Sequence, residues 1–86
     1  MRTTLPTDHE VTVRYWAGAR AATGVVSDVV TGATVADVVA AAVALHPALR
    51  PVAAVATFLV DGSAAAGDRE VPAGATVEVL PPFAGG

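Results

Sequence analysis

The chain contains no cysteine and no lysine. Without cysteine there is no disulfide framework, no thiolate nucleophile and no Cys-based zinc site. Without lysine, no side-chain amine is present to form a Schiff base or an isopeptide bond from this chain. Positive charge is scarce. The five arginines are scattered singly among eight acidic residues, giving a net charge of −3 that argues against a nucleic-acid partner. No glycine-rich loop has the spacing that cradles a phosphate or a dinucleotide. His9 and His46 stand alone and are expected to be structural or solvated rather than ligands, so no metal site is expected. Long apolar runs are also missing. The longest uncharged stretch, residues 38–49, is interrupted by His46 and Pro47 and falls short of the ~20 apolar residues of a membrane span. Residues 1–6 hold no apolar core of a secretory signal, so cytoplasmic residence is the expectation.

What is present suits one small domain. The 86 residues are 53% hydrophobic, supplied mainly by alanine and valine, and lie near the lower limit for a core without staples. Residues 1–9 are polar, contain Pro6 and read as a flexible leader. A first strand is expected over Glu10–Trp16, with Val11, Val13 and Tyr15 on one face and Thr12, Arg14 and Trp16 on the other. Residues 17–24 read as a turn or short helical passage closed by Gly24. A second strand follows through Val25, Val26, Asp28, Val29 and Val30, close enough in sequence to pair antiparallel with the first.

Thr34-Val35-Ala36-Asp37 has the form of a capping box opening a helix. Val35, Val38, Val39, Ala42 and Val43 then recur at helical spacing as an apolar stripe, and His46-Pro47 ends it. Thr57-Phe58-Leu59-Val60 reads as a strand running into an Asp61-Gly62 turn. Residues 63–75 are poor in periodic signal. Asp68-Arg69-Glu70 is a solvated charge cluster, and residues 71–74 a short edge segment and turn. A last strand covers Thr76–Leu80. The order strand, strand, helix, strand, strand predicts an α+β domain over residues 10–80, with one main helix across a mixed sheet.

The last six residues, Pro81-Pro82-Phe83-Ala84-Gly85-Gly86, read as a flexible tail. At about 7% average glycine usage, two glycines at a given terminus arise by chance in roughly one chain in two hundred. The diproline stops the last strand and sets a stiff, extended exit. Glycines without Cβ atoms can thread a narrow channel. The Gly86 α-carboxylate is ionised at neutral pH and sterically bare. With no thiol and no lysine amine in the chain, it is the one obvious place for the chain to carry chemistry.

Two segments extend this reading. Tyr15-Trp16-Ala17-Gly18-Ala19-Arg20-Ala21-Ala22-Thr23-Gly24 resembles the aromatic-Ala-x-x-Arg-x-x-x-Gly segment after strand one of MoaD proteins, and Pro81-Pro82-x-x-Gly85-Gly86 resembles the MoaD-type ending. With the element order, the chain resembles the MoaD/ThiS family of sulfur carriers, which have the ubiquitin-like β-grasp fold, and is closest to the molybdopterin synthase small subunit. The family's usual Gly-Asp turn before the last strand appears here as Gly74-Ala75, and residues 64–69 do not align.

The resemblance implies a cycle in which an ATP-dependent activating enzyme adenylates Gly86 and sulfur displaces AMP to leave a thiocarboxylate. In the molybdenum-cofactor branch, the tail then enters a larger synthase subunit and delivers sulfur to make the dithiolene of molybdopterin. The chain would be a carrier and co-substrate rather than an enzyme, with no bound cofactor and ATP consumed by the activating partner. Gly85, Ala84, Pro82 and Pro81 would thread the partner's channel. Phe83, Leu80 and Trp16 would form an apolar docking patch, unless Trp16 and Leu80 simply close the edge of a small core. Arg20 would pair with a partner or fold back onto an acid. Two other readings stay open. In one, the sulfur is destined for thiamine thiazole, cysteine or a sulfur-containing secondary metabolite; in the other, the domain is an interaction or conjugation module without sulfur transfer.

Overall fold

A computed structural model describes residues 10–82 of the chain. The first strand, β1, covers Glu10–Tyr15. It ends one residue earlier than the alternation predicts because Trp16 already serves as the N-cap of a helix, α1 (Ala17–Thr23). The Trp16 carbonyl accepts the Ala19 N–H at 2.9 Å, and Gly24 closes the helix in the left-handed region at φ 77°. Strand β2 is Ser27–Thr31, later than expected. Thr23 Oγ1 bonds both the N–H and the carbonyl of Val25 and holds that residue in the turn. β1 and β2 pair antiparallel as predicted, although a helix rather than a tight turn joins them.

The main helix, α2, covers Val35–Leu45. Its capping box is formed: Asp37 N–H donates to Thr34 Oγ1 at 3.2 Å, and Thr34 N–H donates to Asp37 Oδ2 at 3.3 Å. Val35, Val38 and Ala42 are buried and Val39 and Val43 half-buried, so the predicted stripe is the packed face. His46 ends the helix, and the chain continues through a 3-10 turn (Pro47–Leu49) into a short helix, α3 (Arg50–Ala53). Neither short helix was expected. Both begin with a Pro at or next to their first position, where its fixed φ suits a helical turn.

Strand β3 (Thr57–Val60) turns through Asp61 and Gly62, both at positive φ (46° and 88°), into β4 (Ser63–Ala65). Two positive φ values are the requirement of the tight hairpin turn that Asp-Gly favours. β4 makes the sheet five-stranded, one strand more than the predicted ββαββ order. Its Ser-Ala-Ala sequence has no β-branched or aromatic residue to announce it. β5 is Thr76–Leu80. Before it, Gly74 sits at φ 83° and its N–H donates to the Glu10 carbonyl at 2.8 Å, which explains glycine there.

The sheet order is β2-β1-β5-β3-β4, with β1 and β5 parallel at the centre and every other pair antiparallel. This is the β-grasp arrangement expected. Val11, Val13, Tyr15, Val30, Val60, Val77 and Val79 point to one face and pack under α2, with Leu49, Ala53, Ala19 and Val71 completing the core.

One polar group fastens the helical layer to the sheet. Tyr15 O–H donates to Asp28 Oδ2 at 2.9 Å, and His46 Nε2 meets the same oxygen at 2.7 Å. The Tyr15 and His46 rings stand edge to face at 5.9 Å. His46 is thus structural, as expected. Burial, then the hydrogen bond and negative charge of Asp28, push the Tyr15 phenol above its ordinary range. In the unfolded chain tyrosine ionises near pH 10. The neutral phenol is therefore favoured in the fold, and its stabilisation is complete below about pH 10 and declines as pH rises further. Tyr15 is the single tyrosine, so ultraviolet titration reports on it alone. The phenolate signal should appear only together with alkaline unfolding, and Tyr15→Phe should flatten the alkaline loss of stability. A phenolate that forms near pH 10 in a chain still folded would contradict this network.

Candidate functional site

The site predicted from sequence divides at Pro82. Phe83, Ala84, Gly85 and Gly86 lie outside the described residues, as does the leader of residues 1–9. Pro81 and Pro82, half-buried and exposed, follow directly on β5, so the chain leaves the domain from the central strand of the sheet. A diproline cannot donate to the ladder, and β5 ends at Leu80.

Leu80 and Trp16 belong to the sheet face opposite the helices. On β5, Val77 and Val79 are buried while Thr76, Glu78 and Leu80 alternate to the other side. On β1, Thr12 and Arg14 do the same, and Trp16 continues them. The parallel register sets Arg14 beside Glu78 and Tyr15 beside Val79, and Trp16 N–H donates to the Val79 carbonyl at 3.3 Å. Trp16 therefore stands next to Leu80. It is 38% exposed, and neither residue belongs to the buried core. Trp16 thus stands exposed on the open sheet face.

Two residues that sequence reasoning missed hold Trp16 in place. Its Nε1–H donates to Glu78 Oε2 at 3.1 Å, and the Arg14 guanidinium carbon lies 4.7 Å from the ring centroid. Acid on one side and cation over the ring orient the indole across the sheet, a geometry in which a cation–π contact contributes about 0.5–1 kcal/mol at an exposed site. The available signal was parity: Arg14 and Trp16 share a face of β1, and Glu78 has the open-face parity of β5. Arg20 is not part of this group. It is exposed on α1, which packs against the 3-10 turn and α3, and its side chain pairs with no carboxylate among the described residues.

The chemistry available within 10–82 is sparse. No group of three His, Cys, Asp or Glu converges among the described residues. No helix of the described residues is long and apolar enough to cross a membrane. A groove between α2 and β3, lined by Val35, Val39, Val43, Ala53 and Phe58, carries a single charge at its edge, Arg50. These residues can bind and orient, whereas the reactive group predicted from sequence is on the tail.

The family model described as the ThiS family matches residues 13–86. No curated protein sequence matches the chain. Among solved structures, the chain is similar to small archaeal modifier protein 1 from Haloferax volcanii, with 27% identity, coverage of 90% of this chain and 99% of that one, and a TM-score of 0.83. It is similar to a molybdopterin converting factor subunit 1 from Pyrococcus furiosus, with 26% identity, 87% and 99% coverage and a TM-score of 0.77. It shares its fold with small archaeal modifier protein 1 from Methanosarcina acetivorans, at 23% identity, 94% and 100% coverage and a TM-score of 0.81.

Proposed function

Because the chain belongs to the ThiS family, we propose that it is a sulfur carrier whose Gly86 carboxylate is the working group. The observation that carries the reading is the family match through Gly85 and Gly86, on a chain with no cysteine and no lysine. A carboxylate oxygen of Gly86 attacks the α-phosphate of ATP on an activating enzyme, and pyrophosphate leaves. Hydrosulfide then attacks the acyl carbon of the adenylate and expels AMP, leaving a thiocarboxylate with no net redox change. The sulfur attacks an electrophilic carbon of the acceptor and displaces its leaving group, and water then cleaves the acyl–sulfur bond, leaving the sulfur on the acceptor and returning the Gly86 carboxylate. The carrier performs none of these steps with its own side chains, and ATP belongs to the partner.

The acceptor branch we favour is molybdopterin synthesis, with this chain as the small subunit of the synthase. The diproline ending and the similarity to a molybdopterin converting factor subunit support it. In this reading Pro81, Pro82, Ala84 and Gly85 thread the partner's channel. Trp16 and Leu80, with Phe83, form the apolar contact on the open sheet face, where buried aromatic anchors dominate binding. Arg20 offers a charge to the same partners.

A second reading keeps the activated Gly86 and replaces hydrosulfide with the lysine amine of another protein. The similarity to small archaeal modifier protein 1 favours it. One experiment separates them: incubation with ATP, sulfide and a MoaD-type activating enzyme, then thiol-selective alkylation and intact-mass analysis. With no cysteine present, an alkyl adduct mapped to Gly86 identifies the thiocarboxylate, and Trp16→Ala should slow loading mainly through KM. Covalent adducts with other proteins would mark conjugation. No adduct, with an enzyme that loads its own carrier, counts against sulfur carriage.

A further inference from the structure

Six large apolar side chains are exposed among the described residues, and three of them, Val25, Val26 and Val29 (38%, 44% and 62% exposed), lie in or just before β2. β2 is an end strand of the sheet, so one side of its backbone has no neighbour among the described residues. The Tyr15 N–H donates to the Val26 carbonyl at 2.9 Å. Bonding alternates along an antiparallel ladder, so Asp28 and Val30 bond inward, opposite Val13 and Val11. The N–H and C=O groups of Ser27, Val29 and Thr31 point away from β1.

Natural edge strands are guarded by lysine, proline, a bulge or an inward-pointing charge. Of these, β2 has only the inward charge, Asp28, whose carboxylate is already taken up by its partners. The chain lacks lysine, residues 27–31 lack proline, and the register with β1 is unbroken. The single charge, Asp28, turns its carboxylate toward Tyr15 and His46 on the core side.

We propose that β2 pairs antiparallel with β2 of a second copy of this chain, about a two-fold axis at Val29. Self-complementarity is the reason for a second copy. Centred on Val29, Ser27 faces Thr31 of the other copy, Val29 faces Val29, and Thr31 faces Ser27. Every outward N–H and C=O of the three residues then finds a partner, and shifting the axis along the strand leaves some unpaired. On the open face, the two valines meet as a β-branched cross-strand pair flanked by Thr12 of each copy. The next rows run Glu10, Thr31, Ser27, Arg14, the last two from the second copy, so opposite rather than like charges end each row. The result is a closed, isologous dimer with one continuous sheet. The two β5 strands run antiparallel in it, so their Leu80 ends lie at opposite ends of the sheet.

The proposal stands apart from the sulfur chemistry and is tested without it. Val29→Cys places a single thiol in the cysteine-free chain. Opposed hydrogen-bonded residues have Cα atoms about 5.5 Å apart, within the roughly 4.4–6.8 Å a disulfide spans. Under mild oxidation the full-length V29C protein should cross-link at least tenfold faster than Ala64→Cys on β4, the opposite edge of the sheet. In sedimentation experiments the unmodified chain should show a reversible monomer–dimer equilibrium. Val29→Lys should weaken it at least tenfold with an unchanged circular dichroism spectrum, because the side chain is exposed and two lysines would meet on the axis. A chain that stays monomeric at millimolar concentration, equal cross-linking at both edges, or a dimer indifferent to V29K would each overturn the proposal. The cross-linking arm decides the matter without the lysine variant.

Discussion

Deleting Gly86, or replacing Gly85 with tryptophan, should reduce thiocarboxylate formation by more than about a hundredfold, since a 1 Å misplacement of a reacting group alone can cost that much. Deletion draws the terminal carboxylate back by one residue, roughly 3.3–3.6 Å along an extended chain. Tryptophan at Gly85 leaves the carboxylate in sequence but adds bulk where only backbone is expected to pass. A graded series at Gly85, through alanine and valine to tryptophan, should lose loading in order of size. Fold stability should not change in any of them, because the buried core runs from Val11 to Val79. The measurement is the alkylated intact mass beside a thermal melt. Loading that survives Gly86 deletion would remove the terminal carboxylate from the mechanism.

The largest stability effect should come from a residue far from the tail. Leu49 is fully buried, in the 3-10 turn between α2 and α3, and is the only buried leucine among the described residues. Leu→Ala in a packed core costs about 3 kcal/mol, part lost transfer energy and part cavity. Against the roughly 4–13 kcal/mol expected for a chain of this length, that is a large fraction. At about 4–8 °C per kcal/mol for a small domain, Leu49→Ala should lower Tm by ~12–24 °C. Val55→Ala, at an exposed position, should change stability by less than about 0.5 kcal/mol. Similar melts for the two variants would mean that the turn does not anchor the core.

Local signals carried the parts of the fold that rest on local physics. The alternation of Val11, Val13 and Tyr15 set them on one face of β1, Thr34 and Asp37 named the helix start, and Asp61-Gly62 named the hairpin. β4 was hidden because its pairing is imposed by that turn and not by its own residues. Leu49 was hidden because a 3-10 turn has no apolar period to read. The Tyr15–Asp28–His46 cluster joins positions far apart in sequence, and Asp28 was read only as one residue of the second strand. At the candidate site, Trp16 and Leu80 were legible from type and place. Arg14 and Glu78 acquire a role only through the parallel register of β1 and β5, which nothing local in the sequence announces.

That parallel register also orders the events by which the molecule comes into being. The β1–β2 and β3–β4 pairs each join neighbours in the chain, but they touch through β5, the last strand to be synthesised. Until residues 76–80 are available, the two pairs present facing edges with nothing between them. Contacts of such long sequence separation slow folding and leave edges exposed to other chains while they wait. The sheet therefore cannot close before β5 is present, and a chain that stops short of Thr76 lacks the strand that joins its two strand pairs.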